Sequence, residues 1–149
     1  MDFYASTSFR IAIVNLTKKV KDGYASIIKD ICDTLLDMPD NILRDTNDRV
    51  YQNQDYRIVK LRVPNSGLKL SKANGFRLIY WVSLKRDIII LMSVYPKRGP
   101  QAVVDLLPAE YTRLQTEIYT ESQAHTLHKV DIKNTLADLC ITASISEGR

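Results

Sequence analysis

The sequence predicts an α+β domain: a small antiparallel sheet with an N-terminal helical hairpin on one face, in the order β-α-α-β-β-β, followed by a C-terminal helix. Three observations predict it. Two amphipathic stretches of helical period precede Pro39, three β-rich runs of period two lie between Tyr56 and Tyr95, and a helical pattern opens after Gly99-Pro100.

The elements follow in order. "DFYAS" opens as an edge strand. Phe9, Ile13, Leu16 and Val20 then recur at helical spacing behind Ser8 as cap, and Asp22-Gly23 breaks the run. A second helix sets Ile27, Ile28, Ile31, Leu35 and Leu36 on one face and Lys29, Asp30, Asp33 and Asp37 on the other. Pro39 ends it, because proline cannot continue the hydrogen-bond ladder. The polar stretch 40–55 reads as a connection with one helical turn.

"YRIVKLRV" alternates Arg57, Val59, Leu61 and Val63 against Ile58, Lys60 and Arg62. "FRLIYWV" alternates Phe76, Leu78, Tyr80 and Val82 against Arg77, Ile79 and Trp81. "DIIILMSVY" is apolar on both faces, as a central strand should be. Ser83 to Asp87 is a tight hairpin loop, whereas 64–75 is a longer one rich in turn formers. In "DLLPAEYTRLQTEI" Asp105 caps a helix with Pro108 in its first turn. From Ser122 the composition shifts to small and hydroxylic residues. The chain therefore divides into a domain at 1–121 and an extension at 122–149, weakly helical or mobile, where Ile132, Leu136, Leu139 and Ala143 line one face of a last helix.

A chain of 149 residues suffices for one hydrophobic core. Its longest apolar run, Ile88 to Met92, is far too short to span a bilayer, and "MDFYASTSFR" lacks the basic start and apolar block of a secretory signal. Cys32 and Cys140 have no metal-ligand spacing, so the expectation is a cytoplasmic protein with two reduced thiols. His125 and His128 at i, i+3 lack a third ligand, and neither a metal nor another cofactor is expected.

Charge is segregated. Residues 57–98 hold ten Lys or Arg against the single acid Asp87, while the segments before and after are net negative, so the overall +4 hides a local +9. Such a field attracts phosphate backbones. Period two puts Lys60, Arg62 and Arg77 on one sheet face, opposite the apolar set that must meet the helical hairpin. Arg77 sits in an otherwise apolar strand, so it either pairs with a carboxylate or its face is open to an anion. Trp81 shares that face and can stack on a base; Lys69 and Lys72 in the long loop are candidate RNA contacts; Lys85 and Arg86 in the hairpin turn read as solvated.

The order and spacing of "KLR" at 60–62, "GFRLIY" at 75–80 and "SVYPKR" at 93–98 resemble the RelE/ParE superfamily of bacterial type II toxin–antitoxin toxins. They are most similar to its RelE-like, ribosome-dependent mRNA endonucleases. The resemblance covers roughly residues 3–118. It implies an RNA site on the basic face of the sheet, with Arg77 on the scissile phosphate, Lys60 and Arg62 lining the site, and Lys97 and Arg98 adding charge after the last strand. It implies metal-independent cleavage of mRNA at the ribosomal A site by 2′-OH attack, with mRNA, the ribosome and a separate antitoxin as partners. Many relatives also use a C-terminal tyrosine or histidine, and the match falls on either Tyr95 at the strand end or Tyr111 in the following helix; Tyr95 is the catalytic candidate and Tyr111 a candidate RNA contact. The loop at 64–75 is longer than in the shortest relatives, and the segment after Ser122 has no counterpart.

The chemistry requires a base for the 2′-OH, charge for the phosphorane and a donor for the leaving oxygen. Without a histidine or carboxylate pair in the basic segment, clustered cations would lower a lysine or stabilise a tyrosine phenolate as base. Two other readings compete: a ParE-like DNA gyrase inhibitor without catalysis, and a nucleic-acid-binding module whose cations only hold phosphate.

Overall fold

The structure, a computed structural model, describes residues 1–46 and 48–133. Its centre is a six-stranded mixed sheet in the order β2-β3-β4-β5-β1-β6. The strands are β1 (Asp2–Ala5), β2 (Arg49–Gln52), β3 (Tyr56–Val63), β4 (Phe76–Ser83), β5 (Ile88–Pro96) and β6 (His128–Val130). The helices are α1 (Thr7–Thr17), α2 (Ile27–Leu36), the short α3 (Asp40–Arg44) and α4 (Pro108–Ala124).

The antiparallel meander β3-β4-β5 forms as the alternation predicts, with Ser83 and Ile88 closing the hairpin. Ser83 Oγ accepts from the amides of Lys85 and Arg86 and so shapes that turn. The sheet is not purely antiparallel, however. β1 runs parallel to β5, with Tyr4 opposite Ile90, since the chain from β1 to β5 crosses over through α1, α2 and the rest of the sheet. Two further strands were not expected. β2 is exposed at all four positions and carries no buried alternation to reveal it, and β6 pairs antiparallel with β1.

Both faces of the sheet are occupied. Val59, Leu61, Val63, Phe76, Leu78, Tyr80 and Val82 all pack with α1 and α2, through Phe9, Ile13, Ile27 and Ile31 among others, as the pattern predicts. The opposite face is covered through its middle. Leu114 and Ile118 of α4 pack on Ile58, Ile79, Ile90 and Met92, so the expectation of an uncovered cationic face is corrected. β5 explains its doubly apolar sequence by contributing to both layers.

Helix starts differ from expectation by a few residues. Ser6, not Ser8, caps α1: its Oγ accepts from Phe9 N at 3.1 Å while its backbone is extended. Leu107, not Asp105, precedes α4, with Pro108 at its first turn. α4 continues through Ser122 to Ala124, past the composition change, and the next described element is the strand β6 rather than a helix. Leu136, Leu139, Cys140 and Ala143 lie outside the described residues. Among the described residues no helix is long and apolar enough to cross a membrane.

Candidate functional site

Register creates a row of functional side chains at one end of the face that α4 covers. Arg62 of β3 is directly opposite Arg77 of β4, and Arg77 is directly opposite Tyr95 of β5. Lys60 lies two residues back on β3, hence on the same face. The three sequence-predicted cations 60, 62 and 77 are therefore brought together.

Arg77 answers to neither expectation. It is 8% exposed, and its guanidinium faces backbone carbonyls rather than a carboxylate or open solvent. One terminal nitrogen donates to Lys72 O at 3.0 Å and Phe76 O at 3.2 Å; the other donates to Ala73 O at 2.9 Å. Burial, then the neighbouring charge of Arg62, hold its pKa below the usual value, yet a guanidinium stays protonated at any physiological pH. Its direct bonds thus fasten the far end of the 64–75 loop. The near end of that loop is fastened by the buried Asp30 of α2, which accepts from Ser66 N at 3.0 Å and from Ser26 Oγ at 2.7 Å.

Arg62 is the opposite case. It is exposed and makes no hydrogen bond or ion pair with any described residue. Lys60 is paired, with Nζ 3.4 Å from Asp105 Oδ2 and its side chain 33% exposed. The lysine expected to be crowded by cations alone instead faces a carboxylate.

Asp105 organises this end of the face and was missed as a site residue. Its Oδ1 accepts from Tyr95 OH at 3.3 Å, from Tyr111 OH at 3.4 Å and from Leu106 N at 2.8 Å. Burial acts to raise its pKa, but the Leu106 amide, the Lys60 charge and these donors outweigh it, and the net shift is downward. A usable signal did exist: Asp105 is the only carboxylate between Asp87 and Glu110.

The two phenols respond in the opposite sense. Burial first, then the Asp105 charge, push Tyr95 well above the ordinary phenol value; the same causes push Tyr111 up to about 12. Both are protonated at neutral pH, so the expected tyrosinate base is not formed here. They can give a proton or a hydrogen bond but cannot serve as the base.

The remaining predicted residues divide. Lys97 Nζ donates to Val104 O at 2.9 Å, which ties it to the segment carrying Asp105 at the margin of the cluster. Arg98 is drawn away to the loop, where Nε and a terminal nitrogen donate to Asn74 Oδ1 at 3.1 and 2.8 Å. Lys69, in the left-handed region at φ 57°, and Lys72 are exposed on the fastened loop. Trp81 does not join the cations. It is four residues along β4 from Arg77, about 13 Å away, and it stacks on Tyr56 with centroids 5.4 Å apart.

No family model, curated protein or solved structure matches this chain. The arrangement itself offers three permanent or near-permanent cations against one carboxylate and two protonated phenols. Chemically it can hold a phosphodiester, supply protons to a leaving oxygen, and neutralise charge that develops on phosphorus.

Proposed function

We propose that this protein is a RelE-like toxin of a type II toxin–antitoxin system, an endoribonuclease that cuts mRNA at the ribosomal A site without a metal. The observation that carries this reading is the row Arg62–Arg77–Tyr95, set beside Lys60 and Asp105 at one end of the sheet.

Arg62, whose fork makes no bond to any described residue, takes the non-bridging oxygens of the scissile phosphate. Arg77 acts through its charge and by holding the loop that presents Lys69 and Lys72. The 2′-oxygen attacks phosphorus and loses its proton to the Asp105 carboxylate. The bond to the 5′-oxygen breaks, and that oxygen takes a proton from Tyr95 or Tyr111, leaving a 2′,3′-cyclic phosphate. Asp105 is a weak base because its pKa is held down, so cleavage of free RNA should be slow. A ribosome that fixes the message in an attack geometry supplies the missing rate. A separately encoded antitoxin, acidic where it meets residues 57–98, would silence the site.

Primer extension on cellular transcripts after induced expression tests the proposal. Wild type should produce discrete cuts within coding regions, and Arg62→Ala should abolish them while leaving the melting temperature unchanged. Intact transcripts accompanied by a DNA-damage response would replace this reading with the gyrase inhibitor. Uncut transcripts without that response, together with RNA binding, would leave a binding module.

A further inference from the structure

At the end of the sheet face away from the cations, three aromatic rings cross neighbouring strands. Tyr51 of β2 lies 5.7 Å from Tyr56 of β3, and Tyr56 lies 5.4 Å from Trp81 of β4, with modest tilts of 36° and 31°. Between this series and α4 is a cleft of about 410 Å³, floored by Ile90 and Ile118 and walled by Tyr56, Trp81 and Tyr119. The polar groups on its rim are neutral: Gln115, Thr116 and Ser122. Gln115 Oε1 accepts from Tyr56 OH at 3.3 Å, and its amide nitrogen has no hydrogen-bond partner among the described residues.

A second cleft of about 500 Å³ adjoins the first, sharing Trp81, Ile90 and Ser122 as a common wall. It adds Arg86 and His125. The Arg86 guanidinium makes no bond to any described residue, because only its backbone is used in the hairpin turn. The one carboxylate there, Glu121, is engaged by Thr7 through both its amide and its hydroxyl. Flat aromatic walls with neutral hydrogen-bonding groups lie beside an uncommitted guanidinium. That combination matches a nucleobase with its attached phosphate, whereas an apolar peptide would have no use for the cation.

We infer that these paired clefts bind a nucleotide of single-stranded RNA, with the base between Trp81 and Tyr119 and its phosphate on Arg86. The inference rests on the reading that RNA is the substrate, and it adds an anchoring point distinct from the scissile one. Trp81, expected as an RNA contact within the cationic site, would serve here instead.

The chain's single tryptophan is Trp81, so its fluorescence reports on this groove directly. The full-length protein is titrated with hexa-adenylate RNA and, separately, with adenosine 5′-monophosphate. The expected result is saturable quenching by the RNA, weakened about tenfold or more by Arg86→Ala and by Tyr119→Ala. Tyr119 is 68% exposed and Arg86 is exposed, so both variants should keep the wild-type melting curve. Absence of saturable quenching by RNA overturns the inference, as does wild-type affinity retained in both variants. A response to the mononucleotide with none to the RNA also overturns it, in favour of a small-nucleotide site. Cleavage of cellular transcripts, where the ribosome is present, is measured in parallel by primer extension after induced expression. Quenching without cleavage removes the nuclease and keeps the groove; cleavage without quenching does the reverse.

Discussion

Arg62 and Arg77 are directly paired across β3 and β4, two permanent cations in one register position. Like charges so placed repel, and the fold separates their tasks: Arg77 is spread over three carbonyls, while Arg62 is left to solvent. Replacing Arg77 with Ala strands those carbonyls and releases the 72–73 end of the loop. The cost should be about 2–4 kcal/mol, from charge-assisted bonds of about 1.5–3 kcal/mol each that are partly recovered by water. Arg62→Ala should change stability by no more than about 0.5 kcal/mol. Urea unfolding of both variants checks the contrast. Equal stabilities would mean that the carbonyl contacts do not hold the loop.

Alkaline titration provides a second test. Tyr111 has a folded-state pKa raised to about 12, and Tyr95 is raised further, both by burial and then by Asp105. A raised folded value means the stabilising contribution is complete below the unfolded phenol value of about 10. It is lost as pH climbs through the folded value, because the unfolded chain releases its protons first. Stability should therefore fall between about pH 10 and 12. Asp105→Asn should bring the Tyr111 titration, followed by phenolate absorbance, down from about 12 towards the ordinary value. An unmoved titration would show that burial alone sets it.

Which parts of this arrangement were legible in the sequence follows from how each is encoded. Val59, Leu61, Val63 and their partners on β4 alternate strictly, so burying them settles the register, and the cationic row comes with it. The cover over that row was hidden. α4 is mostly polar, and it buries just Leu114 and Ile118 fully, too sparse a stripe to reveal which face it meets. β2 and β6 are short edge strands defined by backbone pairing rather than by side-chain pattern. The fate of Arg77 was hidden for a similar reason, since main-chain carbonyls of a loop have no sequence signature. Asp105 reads as a helix cap because acids commonly occur just before helices; only the convergence of β3, β5 and α4 reveals it as the acceptor for Lys60, Tyr95 and Tyr111.

A pair of carboxylates fastens α4 over the sheet. Glu121 accepts from Thr7 N at 2.9 Å and from its hydroxyl at 2.5 Å; Glu117 does the same for Ser8 at 3.1 and 2.7 Å. Both sit at the N-terminus of α1, where free amides and the helix dipole favour negative charge. Removing both as Glu117→Ala/Glu121→Ala should cost about 2–4 kcal/mol. It should also speed amide exchange along α4 more than in β3 or β4. Uniform acceleration across the sheet would indicate global destabilisation rather than a released helix.

Gly75 makes the tightest demand at the site. A β-carbon placed there would lie 2.1 Å from Val63 O and 2.7 Å from Asn65 N, both backbone atoms that cannot swing aside. The crowding has a structural source. Gly75 immediately precedes β4, Val63 ends β3 opposite Phe76, and the intervening loop must leave and re-enter the sheet at this pair. Gly75 O also accepts from Lys97 N at 2.9 Å, so any shift there reaches the strand that carries Tyr95. Gly75→Ala should therefore cost more than about 3 kcal/mol, in the range of severe overpacking. The loop should become sensitive to limited proteolysis between Asn65 and Asn74 before the rest of the domain does. Wild-type stability with an uncut loop would show that β3 and β4 can separate at this end without strain, and the fastening of the loop at Arg77 and Asp30 would then have to be abandoned as well.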